Sequence, residues 1–150
     1  MAQPAHAPLA LDEPWILKTK VRKVFNFSDN DFGCLQVRHE QTNPNGGAHP
    51  MVKLSLREVK ALALRLQEAL GVQPAPGVLA PRSGQDILHS KAMKEFGLTT
   101  GQLKAIAPVN IQANPHGRWQ PPMKHYNRTD VLALADRLAT ARAQHAATWA

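Results

Sequence analysis

The chain has 150 residues, 43% of them apolar, and a formal net charge of +7 with a pI near 10. This length allows one domain or two small ones, and the apolar share is enough for a modest core. The positive charge favours an anionic partner such as nucleic acid or an acidic membrane surface over a neutral metabolite or other small-molecule substrate.

The N-terminal residues 1–14, MAQPAHAPLALDEP, contain neither a positively charged stretch nor an apolar run long enough for a signal peptide or a membrane span. We predict a flexible arm and a cytoplasmic protein with no membrane partner. Cys34 is the only cysteine, which excludes an internal disulfide and a multi-cysteine zinc site and is typical of a reducing compartment.

Three strands are predicted in the first half of the chain. Apolar and charged residues alternate in WILKTKVRKVFNF from Trp15, in GCLQVRHE and in MVKLSL, and the turn residues NPNGG lie between the last two segments. This alternation places long cations on one open face of an antiparallel sheet, where they could follow a phosphate backbone or simply be solvated and protect the sheet edges. The predicted basic face consists of Lys18, Lys20, Arg22, Arg38 and Lys53.

A covering helix is predicted after the third strand. Ser55 and Glu58 fit a capping box, and Gly71 fits a helix end. Apolar residues three and four apart predict its buried stripe. The stripe consists of Leu56, Val59, Ala63, Leu66 and Leu70. The segment from Leu62 to Leu70 has more apolar positions than one stripe needs, so we predict a homodimer through this domain.

The segment LQVRHEQTNPNGGAHPMVKLSLREVKALALRLQEAL resembles the strand, turn, strand and helix of the positive cofactor four family, transcriptional coactivators that bind single-stranded DNA. The resemblance covers roughly residues 15–70 and implies homodimers that bind single strands through the basic face. The family's stacking tryptophan is replaced near Gln41. If this half stacks on bases, Phe25, Phe27 or Phe32 would have to replace that tryptophan.

The chain divides at GVQPAPGVLAPRSG, where Gly, Pro and Ala replace any periodic pattern. We predict a domain over residues 15–71, a linker over residues 72–84 and a second module over residues 85–150. The whole chain is thus predicted to be α+β, a small antiparallel sheet with a covering helix linked to a helix, β-hairpin and helix module.

The second module begins with a predicted helix in SGQDILHSKAMKEF, capped by Ser83 and Asp86, with Leu88, Ala92 and Phe96 buried. Thr99 and Gln102 predict a short turn or helix through Ile106. A hairpin is predicted in VNIQANPHGRWQPPMKHY, with its turn at residues 114–117 and a return strand stiffened by Pro121 and Pro122. The last helix is predicted to start at Thr129 and to bury Val131, Leu134 and Leu138, with Ala135 and Ala139 as further candidates.

The sequence from Ile87 to about Leu138 resembles the DNA-binding region of the xeroderma pigmentosum group A repair protein family. The shared elements, in order, are S-K-A-M-K-E-F-G-L-T, then L, N-P-H, W and M-K-x-Y before a terminal helix. The resemblance implies contact with damaged or junction DNA through the helix and the hairpin. Carried over by motif, the contacting residues are Lys91, Lys94, Arg118, Trp119 and Lys124. The tryptophan lies one residue nearer the histidine than in the family, and the family's four-cysteine zinc module is missing.

Trp119 has two interpretations. It could stack on an unpaired base or a duplex end, with Arg118 and Lys124 on flanking phosphates, or it could pack on the last helix against Leu134 or Leu138.

Catalytic chemistry finds little support in the sequence. His116, His125 and Asp130 could be imagined as metal ligands of a nuclease, but no H-E-x-x-H motif or carboxylate cluster accompanies them. Cys34 has no recognisable partner as a nucleophile. We therefore expect no cofactor, no metal and a non-enzymatic protein of the nucleoid that binds single-stranded or junction DNA in repair, recombination or transcription. An adaptor whose basic surfaces meet an acidic protein is the alternative.

Overall fold

The computed structural model describes residues 12–41, 50–115, 117 and 119–149. The chain forms two compact units, of which unit 1 comprises Met1–Glu68 and Thr140–Ala150 and unit 2 comprises Ala69–Ala139. Helices and small three-stranded antiparallel sheets make the fold α+β, which confirms the predicted fold class. None of the helices in the described ranges is both long and apolar enough to cross a membrane.

The first half of the chain contains one antiparallel sheet, in which the last strand in sequence lies in the centre. Its elements are β1 Trp15–Leu17, α1 Lys18–Phe25, α2 Asp29–Gly33, β2 Arg38–Gln41, β3 Met51–Ser55 and α3 Leu56–Leu70. Strand β3 pairs with β1 on one side and with β2 on the other. The central strand contributes buried Val52 and Leu54, and the helix that follows it contributes Val59, Leu62 and Leu66.

The second half repeats this arrangement. Its elements are β4 Asp86–Leu88, α4 His89–Phe96, α5 Thr100–Leu103, β5 Asn110–Gln112, β6 Met123–Asn127 and α6 Arg128–Trp149. Strand β6, again last in sequence, lies between β4 and β5. The core of unit 2 contains Ala92, Leu103, Val131, Leu134 and Leu138. The prediction of the last three is confirmed, whereas Ala135 is half-buried and Ala139 is exposed.

The equivalence of the two halves extends to single hydrogen bonds. Leu56 N donates to Pro14 O at 3.0 Å, and Arg128 N donates to Gln85 O at 2.9 Å, at the same point after each central strand. Helices α1 and α4 both end at a residue in the left-handed conformation, Asn26 with φ 56° and Gly97 with φ 64°. Such a residue accepts the end of a helix and redirects the chain. The protein is therefore an internal repeat of one β-α-α-β-β-α unit.

Capping boxes start the second helix of each repeat. Ser28 Oγ accepts from Asp31 N, and the Asp31 carboxylate accepts from Ser28 N. Thr99 and Gln102 make the same reciprocal pair, which confirms that prediction. Ser55 Oγ also accepts from Glu58 N, as predicted. The Glu58 carboxylate, however, is occupied elsewhere, because it accepts from the backbone N–H groups of residues 36 and 37.

The first predicted strand is wrong beyond Leu17. Residues 18–25 form helix α1 and not a strand. Leu17, Val21 and Phe25 are four residues apart, a spacing that satisfies both a strand's alternation and a helix's face. The second predicted strand is also shorter than expected, because regular pairing begins only at Arg38.

The predicted helix start at Ser83 is wrong as well. Strand β4 precedes α4, whose N-cap is Leu88. Ser83 and Asp86 both contact Asn127 instead. The Asn127 side-chain oxygen accepts from Ser83 N at 2.8 Å, and the Asn127 backbone is paired with Asp86 in the sheet. Asp86 is thus part of strand β4, Ser83 bonds to the Asn127 side chain before that strand, and neither residue caps α4.

Part of the predicted linker is attached to unit 2. Ala80 N donates to Pro108 O at 2.8 Å, and Asn127 Nδ2 donates to Pro81 O at 2.9 Å. At the other end of the predicted second module, residues 140–150 belong to unit 1. There Arg142 pairs with Asp31, and His145 pairs with Glu58.

Candidate nucleic-acid interface

The β5–β6 hairpin carries Lys124 on its return strand and Trp119 at its tip, beyond the paired strands. Ile111 is paired with Lys124 in the antiparallel ladder. Beyond the strands, Gly117 N donates to Asn114 O at 3.3 Å, which confirms the predicted turn. Asn114 Nδ2 donates to Pro121 O at 3.3 Å and ties the outgoing segment to the returning one. The hairpin tip is thus held by hydrogen bonds beyond the sheet.

Trp119 lies at this tip with 87% of its surface exposed. Packing against Leu134 or Leu138 is therefore wrong, because those leucines are fully buried in the core of unit 2 without it. Exposure of a large apolar ring to water is unfavourable, because burial of apolar surface is worth roughly 25 cal/mol of free energy per Å². The exposed indole therefore presents apolar surface that a partner could bury.

A cleft of about 500 Å³ lies between the hairpin and the start of α4. It is lined by Leu88, His89, Ser90, Thr100, Asn114, Pro121, Pro122, Met123 and Lys124. Two prolines and a methionine give it apolar walls, while Lys124 supplies a positive charge. Burial, and then the charge of Lys124, lower the pKa of His89 below its usual 6.5, so this imidazole is neutral at pH 7.

Lys91 and Lys94 lie exposed on α4, as predicted. They are three residues apart and therefore project from one side of the helix. Among the residues that the structure describes, neither lysine forms an ion pair. Arg118 and His116 lie outside the described residues.

The basic sheet face predicted for the first half does not form, because three of its five cations lie on a helix. Lys18 and Arg22 lie on the side of α1 that faces Phe32, each 5.0 Å from the ring centroid. Arg22 also pairs with Asp29 at 3.2 Å. Lys20 lies on a different side of the helix and is exposed.

The remaining two cations of that predicted face lie on opposite faces of the sheet. Arg38 is paired with buried Leu54 and forms an ion pair with Glu40. Lys53 is paired with His39, one step along the strand, and neighbouring residues of a strand point to opposite sides. Lys53 Nζ lies 4.3 Å from the ring centroid of Trp15, which is 49% exposed.

Lys23 is a candidate residue that the sequence analysis misses. It is exposed on α1 in the position that Lys94 occupies on α4, just as Lys20 corresponds to Lys91. The signal is present in the sequence, because ILKTKVRKVF and ILHSKAMKEF share the pattern I-L-x-S/T-K-x-x-K-x-F. This repeated pattern identifies Lys23 as the equivalent of Lys94.

The described residues do not form the metal site that was considered from the sequence. His125 Nδ1 lies 3.7 Å from Asp86, and Asp130 accepts from Asn127 Nδ2 at 3.0 Å. No group of three or more His, Cys, Asp or Glu side chains suited to a metal occurs within the described ranges.

Comparison with protein-family models, with curated proteins and with solved structures finds no match to this chain.

Proposed function

We propose that the protein is a non-enzymatic DNA-binding protein that prefers single-stranded, branched or distorted DNA and acts in repair, recombination or transcription. The observation that carries the proposal is Trp119, exposed at the end of a hairpin whose turn is held by hydrogen bonds. An aromatic ring in this position can stack on any base that is not already stacked between neighbours, because every base has a π-face.

The surroundings of the ring support a nucleic-acid partner. Lys124 lines the cleft beside the hairpin, and Lys91 and Lys94 lie exposed on the helix that begins at the same cleft. Cations bind phosphates without reading sequence, whereas the ring selects unpaired bases over an intact duplex. Preference for DNA structure over DNA sequence follows from this combination.

The test is fluorescence anisotropy with single-stranded, duplex and junction oligonucleotides over a salt series. Stacking is worth roughly 1–3 kcal/mol per base, so Trp119→Ala should lose about ten- to hundredfold in affinity for single-stranded or junction DNA. Its melting temperature should stay within about 1 °C of the wild type, because the ring is exposed. Leu132→Ala, which shortens another exposed apolar side chain of unit 2, is the matched control and should bind normally.

Two results would contradict the proposal in different ways. Trp119→Ala with unchanged affinity would remove the hairpin from the interface. The absence of binding to all three oligonucleotides at low salt would refute DNA binding itself and favour an adaptor that meets an acidic protein.

Localisation to the cytoplasm and nucleoid belongs to this proposal. A homodimer through unit 1 stays a prediction. The prediction was based on the leucines from Leu62 to Leu70. Leu62 and Leu66 are buried within unit 1, whereas Leu64 is exposed and could contribute to a dimer interface.

A further inference from the structure

The pattern shared by α1 and α4 contains residues that the fold requires and residues that it does not. Its leucine is the N-cap of each helix, and its phenylalanine is the last residue before the left-handed C-cap. Position 21 in unit 1 and position 92 in unit 2 are fully buried. These positions explain why two copies of one fold would stay similar along a helix.

The two lysines of the pattern have no such explanation. Lys20 and Lys23 are exposed, as are Lys91 and Lys94, and none forms an ion pair within the described part of the chain. Other exposed positions of the same helices differ. Val24, for example, is exposed where unit 2 has Glu95. The lysines are the same in α1 and α4, whereas neighbouring exposed residues differ between the two helices. This contrast indicates a ligand that both helices bind.

We infer that α1 is a second phosphate-binding element, which uses Lys20 and Lys23 as α4 uses Lys91 and Lys94, so that one chain binds nucleic acid through both repeats. Side chains three residues apart on a helix have Cβ atoms about 5–6 Å from each other, close enough for neighbouring phosphates of one strand. Each pair is preceded by an exposed hydroxyl, Thr19 or Ser90, which can donate to a phosphate oxygen. The inference rests on the proposed function.

The test measures the salt dependence of binding to a single-stranded oligonucleotide by the full chain. The variants are K20Q/K23Q, K91Q/K94Q and their combination, because glutamine has nearly the helix propensity of lysine and removes the charge. Each phosphate contact contributes about 0.7 to the slope of log affinity against log salt, so each double variant should lower the slope by about 1.4 and the combination by about 2.8. K60Q/K104Q is the matched control, because Lys60 and Lys104 are exposed but have no lysine at the equivalent position of the other repeat.

The possible outcomes separate the inference from the proposed function. A wild-type chain that binds no oligonucleotide refutes the proposed function. A chain that binds, loses slope in K91Q/K94Q and keeps its full slope in K20Q/K23Q refutes the inference alone. An equal loss of slope in K60Q/K104Q would also overturn it, because the protein's net charge and not the repeated pairs would then govern binding.

Discussion

Replacement of Arg142 by alanine should destabilise unit 1 severely. Arg142 Nη1 lies 3.0 Å from Oδ1 of Asp31, whose carboxylate is fully buried, while the arginine side chain is 16% exposed. Loss of the guanidinium removes a cation that pairs directly with this buried negative charge. When one member of a buried ion pair is removed, the cost is about 3–5 kcal/mol, and we expect about 3 kcal/mol because Arg142 is partly hydrated.

Urea denaturation followed by far-UV circular dichroism measures this loss. With a slope of about 2 kcal/mol per molar urea, a loss of about 3 kcal/mol moves the midpoint down by about 1.5 M. The matched control is Arg137→Ala on the same helix. Arg137 is exposed, and its Nε donates to Ala69 O at 3.0 Å, so its removal should cost below about 1 kcal/mol.

The other repeat supplies the variant that tests the cause. Gln102 occupies the position of Asp31 and closes the same capping box, with Thr99 N donating to its side-chain oxygen at 3.0 Å. Asp31→Gln should therefore keep the cap and remove the charge. The double variant Asp31→Gln with Arg142→Ala should be more stable than Arg142→Ala alone. If it is no more stable, the cost of losing Arg142 comes from packing, and the charge argument is refuted.

Two further predictions concern titratable groups. Burial, and then the negative charge of Asp31, raise the pKa of the Cys34 thiol to about 12, so iodoacetamide at pH 8 should label Cys34 only after unfolding in urea, and rapid labelling of the native protein would contradict this. The pKa of His89 is lowered by burial and then by Lys124, so Lys124→Gln should raise it in an NMR titration while burial still holds it below 6.5. Because the unfolded chain then binds the proton more tightly, the contribution of His89 to stability is present above about pH 6.5 and is lost as pH falls through the folded-state pKa.

The elements that the sequence predicts correctly are those specified by neighbouring residues. The capping box of Thr99 and Gln102, the turn at residues 114–117 and the buried stripe of α6 each depend on residues within a few positions of each other. Strand β3 and the helix α3 that follows it are predicted for the same reason. Local chemistry determines these features before any tertiary contact forms.

The failures occur where distant residues decide the conformation. In each repeat the central strand comes last, so β1 and β4 are completed by partners that lie far along the chain. Three-residue strands such as Asp86–Leu88 carry too little pattern to be predicted alone. The predicted basic sheet face failed for the same reason, because it depended on one ambiguous segment, residues 18–25, being a strand.

The sequence itself contains a pattern that favours a helix for residues 18–25. A strand is predicted for ILKTKVRKVF and a helix for ILHSKAMKEF, although the two segments share five identical positions. Both segments are helical from the residue after the shared leucine. In the second segment residues 92–95, AMKE, are all strong helix formers, whereas the β-branched valines at positions 21 and 24 favour a strand in the first segment.

The two repeats differ in their buried polar residues but share the exposed lysine pairs of α1 and α4. Unit 1 has buried Asp31 and Glu58 where unit 2 has Gln102 and Asp130. The Glu58 carboxylate lies 2.7 Å from His145 Nε2, and both side chains are almost completely buried. Arg142 and His145 thus supply partners for two acids that are fully buried in unit 1, whereas the corresponding positions of unit 2 hold a glutamine and an only partly buried aspartate. Buried polar positions have therefore diverged together with their partners, whereas the exposed lysine pairs of α1 and α4 are unchanged. Because a stable fold tolerates most exchanges at exposed positions, a ligand common to both helices explains this contrast better than packing does.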